Sequence, residues 1–302
     1  MAAQIFEAVP NFSEGRDPEK VSRIVDPVRV VPGVRILDLH SDPDHNRSVL
    51  TMAGEKAPLI EAATILARSC AVEINLADHE GVHPRIGALD VLPFVPLEGA
   101  TLEDAARLAH EAGQRISTLG FAVYLYESAA SAPHRRNLAE VRRGGYESLA
   151  VRAREPGWSP DYGPEDLDPG LGAVAVGARP FLVAFNAYLD TDNAKIAREV
   201  AGKIRERDGG LPGVKALGLS VKGRAQVSMN LTDLEKTSLP EALEAVRAEA
   251  AKLGAGVDYT ELVGLLPLEA LIQTTRYYLG LPELEKSNVL EAGLWGNTDV
   301  LR

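Results

Sequence analysis

The segment Asp78-His79-Glu80-Gly81-Val82-His83-Pro84-Arg85-Ile86-Gly87-Ala88-Leu89-Asp90 decides how the rest of the chain is interpreted. It concentrates two histidines, an arginine, two glycines and several carboxylates, whereas the sequence on either side shows apolar periodicity. Dense polar loops between buried elements are where catalytic groups tend to be held. The segment therefore predicts a functional loop between two buried elements.

The residues from His79 to His83 also match H-E-x-x-H, a pattern that places two histidines on one helix face to bind zinc. Gly81 weakens a helix interior, and Pro84 disfavours the α conformation of the residue before it. We therefore expect a loop here and no metal. The alternative to a function is that both histidines only form local hydrogen bonds. That reading suits His83 less well, because the rigid Pro84 and the charged Arg85 follow it.

Patterns through residue 126 predict alternating strands and helices. Asp17-Pro18-Glu19 is typical of a helix start, with an N-cap followed by proline. Pro58 begins a long helix with apolar residues at helical spacing, and Thr101 to Asp104 resembles a capping box. Strands are predicted at 3–9, 34–40, 47–53, 89–95 and 121–126, and helices from 17 to near Pro27, from 58 onward, and from 101 to about 118.

The second half of the chain repeats this order, and the predicted fold class is α/β (α+β). Ser238 to Glu241 is a capping box. We predict strands at 181–189, 214–222, 225–231 and 257–263, with helices at 191–206 and 238–253. Each half then forms a ferredoxin-like β-α-β-β-α-β unit, in which two helices cover one sheet face. The open faces predict that the two units pack through their sheets.

Residues 152–172 interrupt the pattern with a run of glycine and proline. This composition predicts a linker between the two units. Aromatic residues in such a loop beside a cleft, here Trp158 and Tyr162, also suit a binding wall. The polar tail from Pro282 onward carries no clear structural pattern.

The bulk composition limits the classes of function. A net charge of −11 argues against a nucleic-acid partner, and 45% hydrophobic and 25% charged residues are ordinary for a globular protein. The single cysteine, Cys70, excludes an intrachain disulfide and is expected to be buried in a helix. Without a basic N-terminal region or a long apolar run, the sequence predicts a cytoplasmic protein with no membrane partner.

A second polar cluster runs from Asp38 to Arg47, between two predicted strands. It lacks a recognised metal-ligand spacing, so a metal site is the weakest reading. A loop of Asx-type turns is the simplest interpretation. In a third reading, one aspartate faces the cleft and favours cationic atoms of a substrate.

Several blocks resemble the formiminotransferase family, beginning with H-P-R-I-G-A-L-D-V-L-P-F from His83. Others are 9–16 (V-P-N-F-S-E-G-R), Asn46-Arg47, 123–126 (V-Y-L-Y), 177–186 (G-A-R-P-F-L-V-A-F-N) and 262–268 (L-V-G-L-L-P-L). The matches run in order over nearly the whole chain. The resemblance implies two subdomains, at 1–178 and 179–302, with a ligand cleft between them and without a cyclodeaminase domain. It also implies a homodimer.

The resemblance further implies a reaction and a set of site residues. The reaction is transfer of the formimino group from N-formimino-L-glutamate to N5 of tetrahydrofolate in histidine degradation, with tetrahydrofolate as co-substrate and no metal. His83 matches the catalytic histidine of the family. The family often carries an acid where this chain has His40, so the acid partner falls to Asp42 or Asp44. Folate or substrate contacts are expected at Asn11, Arg47, Arg85, Gly163, Pro164, Gly170, Leu171, Gly172 and Arg179.

Two other functions are compatible with the sequence. One is a glutamate formyltransferase of the same family that uses N-formylglutamate, and a substrate assay separates the two donors. The other is a folate-binding protein without turnover, which the intact His83 loop argues against.

Overall fold

The computed structural model describes residues 4–43, 45–81 and 84–292. Two compact units divide the chain, at Met1–Pro180 and Phe181–Arg302. The first unit contains β1 (Ile5–Ala8), β2 (Asn11–Phe12), α1 (Pro18–Arg29), β3 (Val34–Asp42), β4 (Arg47–Glu55), α2 (Lys56–Glu73), β5 (Leu89–Pro96), α3 (Leu102–Ser117), β6 (Ala122–Glu127), α4 (Leu138–Val141), α5 (Gly145–Arg152) and β7 (Ala173–Ala178). The second contains β8 (Val183–Leu189), α6 (Ala194–Ile204), β9 (Val214–Val221), β10 (Arg224–Leu231), α7 (Leu239–Lys252), β11 (Val257–Val263) and α8 (Leu268–Leu279).

The first unit has a seven-stranded sheet that begins as the predicted ferredoxin-like pattern. β1 lies between β4 and β5 and is antiparallel to both, and β3 pairs with the other edge of β4. Beyond β5 the sheet continues with β7 and then β6, which run parallel to it. The mixed α/β class with two sheets is therefore confirmed, and the packing of one sheet on the other stays a prediction.

The prediction that 152–172 links the two units is wrong. This segment leads into β7, which pairs with both β5 and β6 inside the first unit. The boundary between the units follows later, after Pro180. β7 was missed because its residues are small and buried throughout, so the strand shows no alternation that marks a half-buried sheet.

Each face of the first sheet carries its own apolar core. Helices α1, α2 and α3 cover one face with residues such as Ile24, Leu66 and Leu108. On the other face, Tyr124 packs with Val141 and Trp158 from the segment after β6. Part of the sheet face that the sequence left open is therefore covered from within the same unit.

The second unit has a four-stranded antiparallel sheet in the order β11-β8-β10-β9, which is the ferredoxin-like order. Its core lies between this sheet and helices α6 and α7, both of which were predicted. Helix α8 was not predicted, and it packs against α7. Within the described residues, no helix combines the length and hydrophobicity needed to cross a bilayer.

The local helix signals are confirmed at atomic detail. Asp17 accepts hydrogen bonds from the N–H groups of Glu19 and Lys20, and both capping boxes form, at Thr101 and at Ser238. Helix α1 continues to Arg29, two residues past the predicted end. Cys70 is fully buried in α2, where burial raises the pKa of its thiol.

Candidate active site

Asn46 connects three loops around the polar segment that the sequence singled out. Its side-chain oxygen accepts a hydrogen bond from the N–H of Gly15 at 3.1 Å, and its amide nitrogen donates to the carbonyl of Glu80 at 3.0 Å. Its own carbonyl lies 2.8 Å from Nε2 of His79. Asn46 is buried and has a φ of +49°, a conformation in which asparagine is among the more tolerant residues. One residue therefore fixes the relative positions of the loops at 13–16, 42–47 and 79–85.

The loop after β2 is held against the same segment by Ser13, through its hydroxyl and its backbone N–H. Ser13 donates through Oγ to the carbonyl of Gly87 at 2.8 Å, and its N–H donates to the carbonyl of Ala88 at 2.9 Å. Gly15 is needed for the close approach, because a Cβ there would lie 2.5 Å from backbone atoms of Asp42 and Arg47.

His79 has an extended conformation, with φ −81° and ψ 128°, so the described start of the H-E-x-x-H segment is not helical, as predicted. Because Nε2 faces the carbonyl of Asn46, the ring proton resides on Nε2. Nδ1 is buried with no hydrogen-bond partner among the described residues. Burial lowers the pKa of His79, and the charge of Arg85 lowers it further, while the bond to Asn46 opposes the shift. His79 is therefore a neutral, anchored ring.

Asp90 organises the end of the segment from a fully interior position. It is 2% exposed, its Oδ1 accepts a hydrogen bond from the N–H of Ile86 at 2.8 Å, and its Oδ2 forms an ion pair with Arg142. Arg47 is a neighbouring cation: burial lowers its pKa to about 10, with repulsion from Arg142 adding to the shift and Asp90 opposing it. The charge of Asp42 also opposes the shift, so Arg47 and Arg142 share this part of the site with two carboxylates, Asp42 and Asp90.

Arg85, which is expected to contact folate or substrate, has protein partners in the structure. Its Nη1 donates to Glu147 at 2.9 Å and its Nη2 to the carbonyl of His79 at 2.8 Å. The guanidinium also lies over the ring of Tyr146, 5.6 Å from the centroid. A hydrogen bond from its own backbone N–H lowers the pKa of Glu147, and the bond from Arg85 adds to this.

The segment from Gly170 to Gly172 lies directly against residues 76–88, although the two are far apart in sequence. Gly170 accepts from the N–H of Leu76 at 2.8 Å, and Leu171 accepts from that of Ala88 at 2.9 Å. Gly172 has a φ of +66°, and a Cβ there would collide with the carbonyl of Ile86. Gly163 and Pro164 lie at the other end of this loop, where Gly163 packs closely against the carbonyl of Phe121.

The remaining predicted site residues are distributed over the first unit. Asn11 is buried in β2 and donates to the carbonyl of Val9. Arg179 follows β7, donates through its N–H to Phe94, and lowers the pKa of Glu7, which burial raises more strongly. Asp42 ends β3, and its carboxylate lies 3.0 Å from Nδ1 of His45. His83 and Asp44 lie outside the described residues.

An open cavity of about 660 Å³ lies beside the polar segment. It is lined by Gly81, Pro84, Arg85, Ala139, Arg142, Arg143, Gly144, Gly145 and Glu147. Sequence reasoning missed the contribution of 139–147, because nothing in R-R-G-G marks it as more than a turn. In the part of the chain that the structure describes, no group of three His, Cys, Asp or Glu side chains is arranged to hold a metal ion.

The fold and the site define a two-unit α/β protein with an arginine-lined cavity suited to anionic small molecules. Residues 5–179 match the formiminotransferase domain, N-terminal subdomain, and residues 184–291 match the formiminotransferase domain. The chain belongs to the formiminotransferase family.

Relatives agree with this assignment over nearly the full length of the chain. Glutamate formimidoyltransferase of Thermoplasma acidophilum is 44% identical over 95% of this chain and 96% of its own. The protein of the same name from Streptococcus pyogenes serotype M1 is 41% identical, over 97% of this chain and all of its own. The formimidoyltransferase-cyclodeaminase of Mus musculus is 39% identical over 96% of this chain, which covers 54% of the mouse protein.

Replacing Asn46 should loosen the three loops. Asn46→Ala leaves the buried N–H of Gly15 and carbonyl of Glu80 without partners, at about 1–3 kcal/mol each, and places a Cβ residue at positive φ. Asn46→Gly loses the same bonds but tolerates the φ, so it should cost less. Urea unfolding measures the free energy of each variant.

The matched control is Lys222, which has a φ of +50° in an exposed hairpin. Lys222→Gly should leave the free energy of unfolding unchanged or slightly raise it. If Asn46→Ala were as stable as the wild type, the connection between the loops would not depend on this side chain.

Proposed function

We propose that this chain is a transferase that moves the formimino group of N-formimino-L-glutamate to N5 of tetrahydrofolate, releasing glutamate. The observation that carries the proposal is the identity of 44% and 41% to two proteins named glutamate formimidoyltransferase, over nearly the full length of both partners. The arginines around the cavity support it, because both substrates carry carboxylates. The direct test is formation of 5-formimidoyltetrahydrofolate and glutamate by the purified protein.

The reaction requires one proton to move between two nitrogens. N5 of tetrahydrofolate attacks the amidine carbon and loses its proton, and the C–N bond to glutamate then breaks as that nitrogen gains a proton. No oxidant or reductant takes part. One imidazole near neutral pKa can accept the first proton and deliver it to the leaving nitrogen.

His83 is proposed as this base and acid. In the sequence it stands between Gly81 and Pro84, two residues that line the cavity, and it falls in the block that resembles the family's catalytic histidine. Asp42 and Asp44 are the proposed acids that stabilise the imidazolium formed between the two steps. His79 is a poorer candidate, because its Nε2 proton is committed to Asn46 and its pKa is lowered by burial.

His83→Ala should lower kcat by roughly 10²–10⁴-fold with little change in KM, the range for a lost acid–base group. The acidic limb of kcat/KM against pH should report one group in the range of an ordinary histidine and should disappear in the variant. Steady-state kinetics from pH 5 to 9 provide both measurements, after a thermal melt has shown that the variant is folded.

The matched control for that experiment is His79→Gln, which keeps a donor for the carbonyl of Asn46 and should lose much less activity. A folded His83→Ala enzyme with near wild-type kcat would end the assignment. His79 or an aspartate between positions 38 and 45 would then be the leading candidate.

Arg85 is proposed to bind a ligand carboxylate in exchange for Glu147. Arg85→Lys keeps the charge but loses the planar fork, so KM should rise roughly tenfold. Glu147→Gln removes the competing carboxylate and should lower KM. The control is Arg154→Lys. Arg154 is exposed, and its one ion-pair partner among the described residues, Asp166 at 3.6 Å, is exposed as well. Equal KM values for Arg85→Lys and Arg154→Lys would show that Arg85 only braces the loop.

Gly163 to Gly172 is proposed to contact the folate. The contacts of Gly170 and Leu171 with residues 76–88 support this, because they hold the loop beside the segment that contains His83. Saturating folinate should slow amide hydrogen exchange across 158–172, whereas L-glutamate alone should leave it unchanged. Exchange that is the same with and without folinate would restrict this loop to a structural role.

The proposal also covers the partners, the pathway, the location and the oligomeric state of the enzyme. Tetrahydrofolate and formiminoglutamate are its small-molecule partners, no metal or nucleic acid takes part, and the reaction belongs to histidine degradation. The enzyme is a cytoplasmic homodimer without a membrane partner. The net charge of −11 supports the absence of nucleic acid, and the lack of a long apolar run supports the absence of a membrane partner. The pathway and the homodimer are what the resemblance to the family implies.

A further inference from the structure

The cavity beside the polar segment has three arginines in its wall, although the chain as a whole is acidic. Arg85, Arg142 and Arg143 line it, and Glu147 is the one acid among the described residues of its wall. Arg143 also lies 3.4 Å from the carboxylate of Glu140. The chain as a whole has a net charge of −11. Such a concentration of guanidinium groups in an acidic protein suits recognition of an anion.

Arg142 is held more firmly than an ordinary surface arginine. Its side chain is 15% exposed, and its Nη2 forms an ion pair with Asp90, whose side chain is 2% exposed. Asp90 is fixed in turn by the N–H of Ile86 and by its place in β5. The guanidinium is therefore pre-organised at the cavity wall by a rigid strand.

Arg142 also keeps more donor capacity than Arg85. Both terminal nitrogens of Arg85 have protein partners, Glu147 and the carbonyl of His79. For Arg142, Asp90 is the one partner found within the described residues, and its Nε is buried without a partner there. Its remaining donors suit a carboxylate that approaches from the cavity.

The backbone next to Arg142 also favours an anion in the cavity. Helix α5 begins at Gly145, next to the cavity, and its N-cap Gly144 offers no side-chain acceptor. Arg47 lies close enough to Arg142 for their repulsion to contribute to the lowered pKa of Arg47. An anion at Arg142 would relieve that repulsion.

We propose that Arg142, positioned by Asp90, binds a carboxylate of a glutamate group in this cavity. The inference rests on the proposed function, which supplies two ligands with this chemistry. One is the glutamate portion of the formimino donor, and the other is the glutamate tail of the folate.

The test is binding without turnover, measured by titration calorimetry with L-glutamate, folinate and 5-formyltetrahydropteroate, which lacks the glutamate tail. Arg142→Lys keeps a charge beside Asp90 but loses the fork, so the affinity for the glutamate-bearing ligand should fall about tenfold or more. Arg154→Lys is the matched control and should bind as the wild type does.

The ligands distinguish the two sources. Weaker binding of L-glutamate with unchanged folinate assigns the site to the donor. Weaker binding of folinate, with 5-formyltetrahydropteroate unaffected, assigns it to the folate tail. Unchanged affinity of Arg142→Lys for both L-glutamate and folinate would overturn the inference, as would wild-type protein that binds neither.

Asp90 is a positioning residue, and its test separates position from folding. Asp90→Asn keeps an acceptor for Ile86 but removes the charge that orients Arg142, so it should raise KM for the ligand identified above while kcat changes little. Asp90→Glu retains the charge and should partly restore KM. A loss confined to kcat in Asp90→Asn would count against this role.

These outcomes are separable from those of the proposed function. A protein that forms no 5-formimidoyltetrahydrofolate but binds glutamate through Arg142 would refute the function and retain the site. A protein that turns over normally with Arg142→Lys would retain the function and refute the site.

Discussion

The hydrogen bonds of Asn46 are the constraint on which the site depends. The loops that meet there are polar and cannot be held by apolar burial. Hydrogen bonds to their backbone groups therefore have to fix their positions. The side chain of Asn46 satisfies one donor in the loop after β2 and one acceptor in the segment before His83. Its unusual φ turns its carbonyl toward His79. The buried side-chain amide of Asn46 therefore holds these loops together, as apolar packing holds helices together.

Much of the fold could be predicted because its signals are local. The N-cap at Asp17 and the capping boxes at Thr101 and Ser238 each depend on residues three positions apart. The recognition of apolar residues at helical spacing in α2 likewise needs only a few turns of sequence. The strand order of both units then follows from the few topologies that short, uncrossed connections permit.

The parts that could not be predicted depend on distant pairing. β7 is parallel to β5 and β6, and its all-buried run of small residues has no local mark. Arg142 and Asp90 lie 52 positions apart, so their ion pair appears only after α4 has packed on the sheet. Arg85 was predicted to contact a ligand because of its neighbours in sequence, yet its ion-pair partner Glu147 comes from α5. The side chains of this site are brought together by tertiary contacts, which composition and residue spacing do not reveal.

The same contacts separate the groups proposed to bind carboxylates from the group proposed to transfer the proton. Arg47 has its pKa lowered to about 10, so it is still charged at pH 7, and a carboxylate bound by guanidinium groups would be held across the whole physiological range. His79 is removed from proton transfer for a different reason, since its ring proton is committed to Asn46 and burial favours its neutral form. The proposed carboxylate binding then rests on charges that do not titrate near neutrality. A change in activity between pH 5 and 8 is expected instead from a separate imidazole, which is the role proposed for His83.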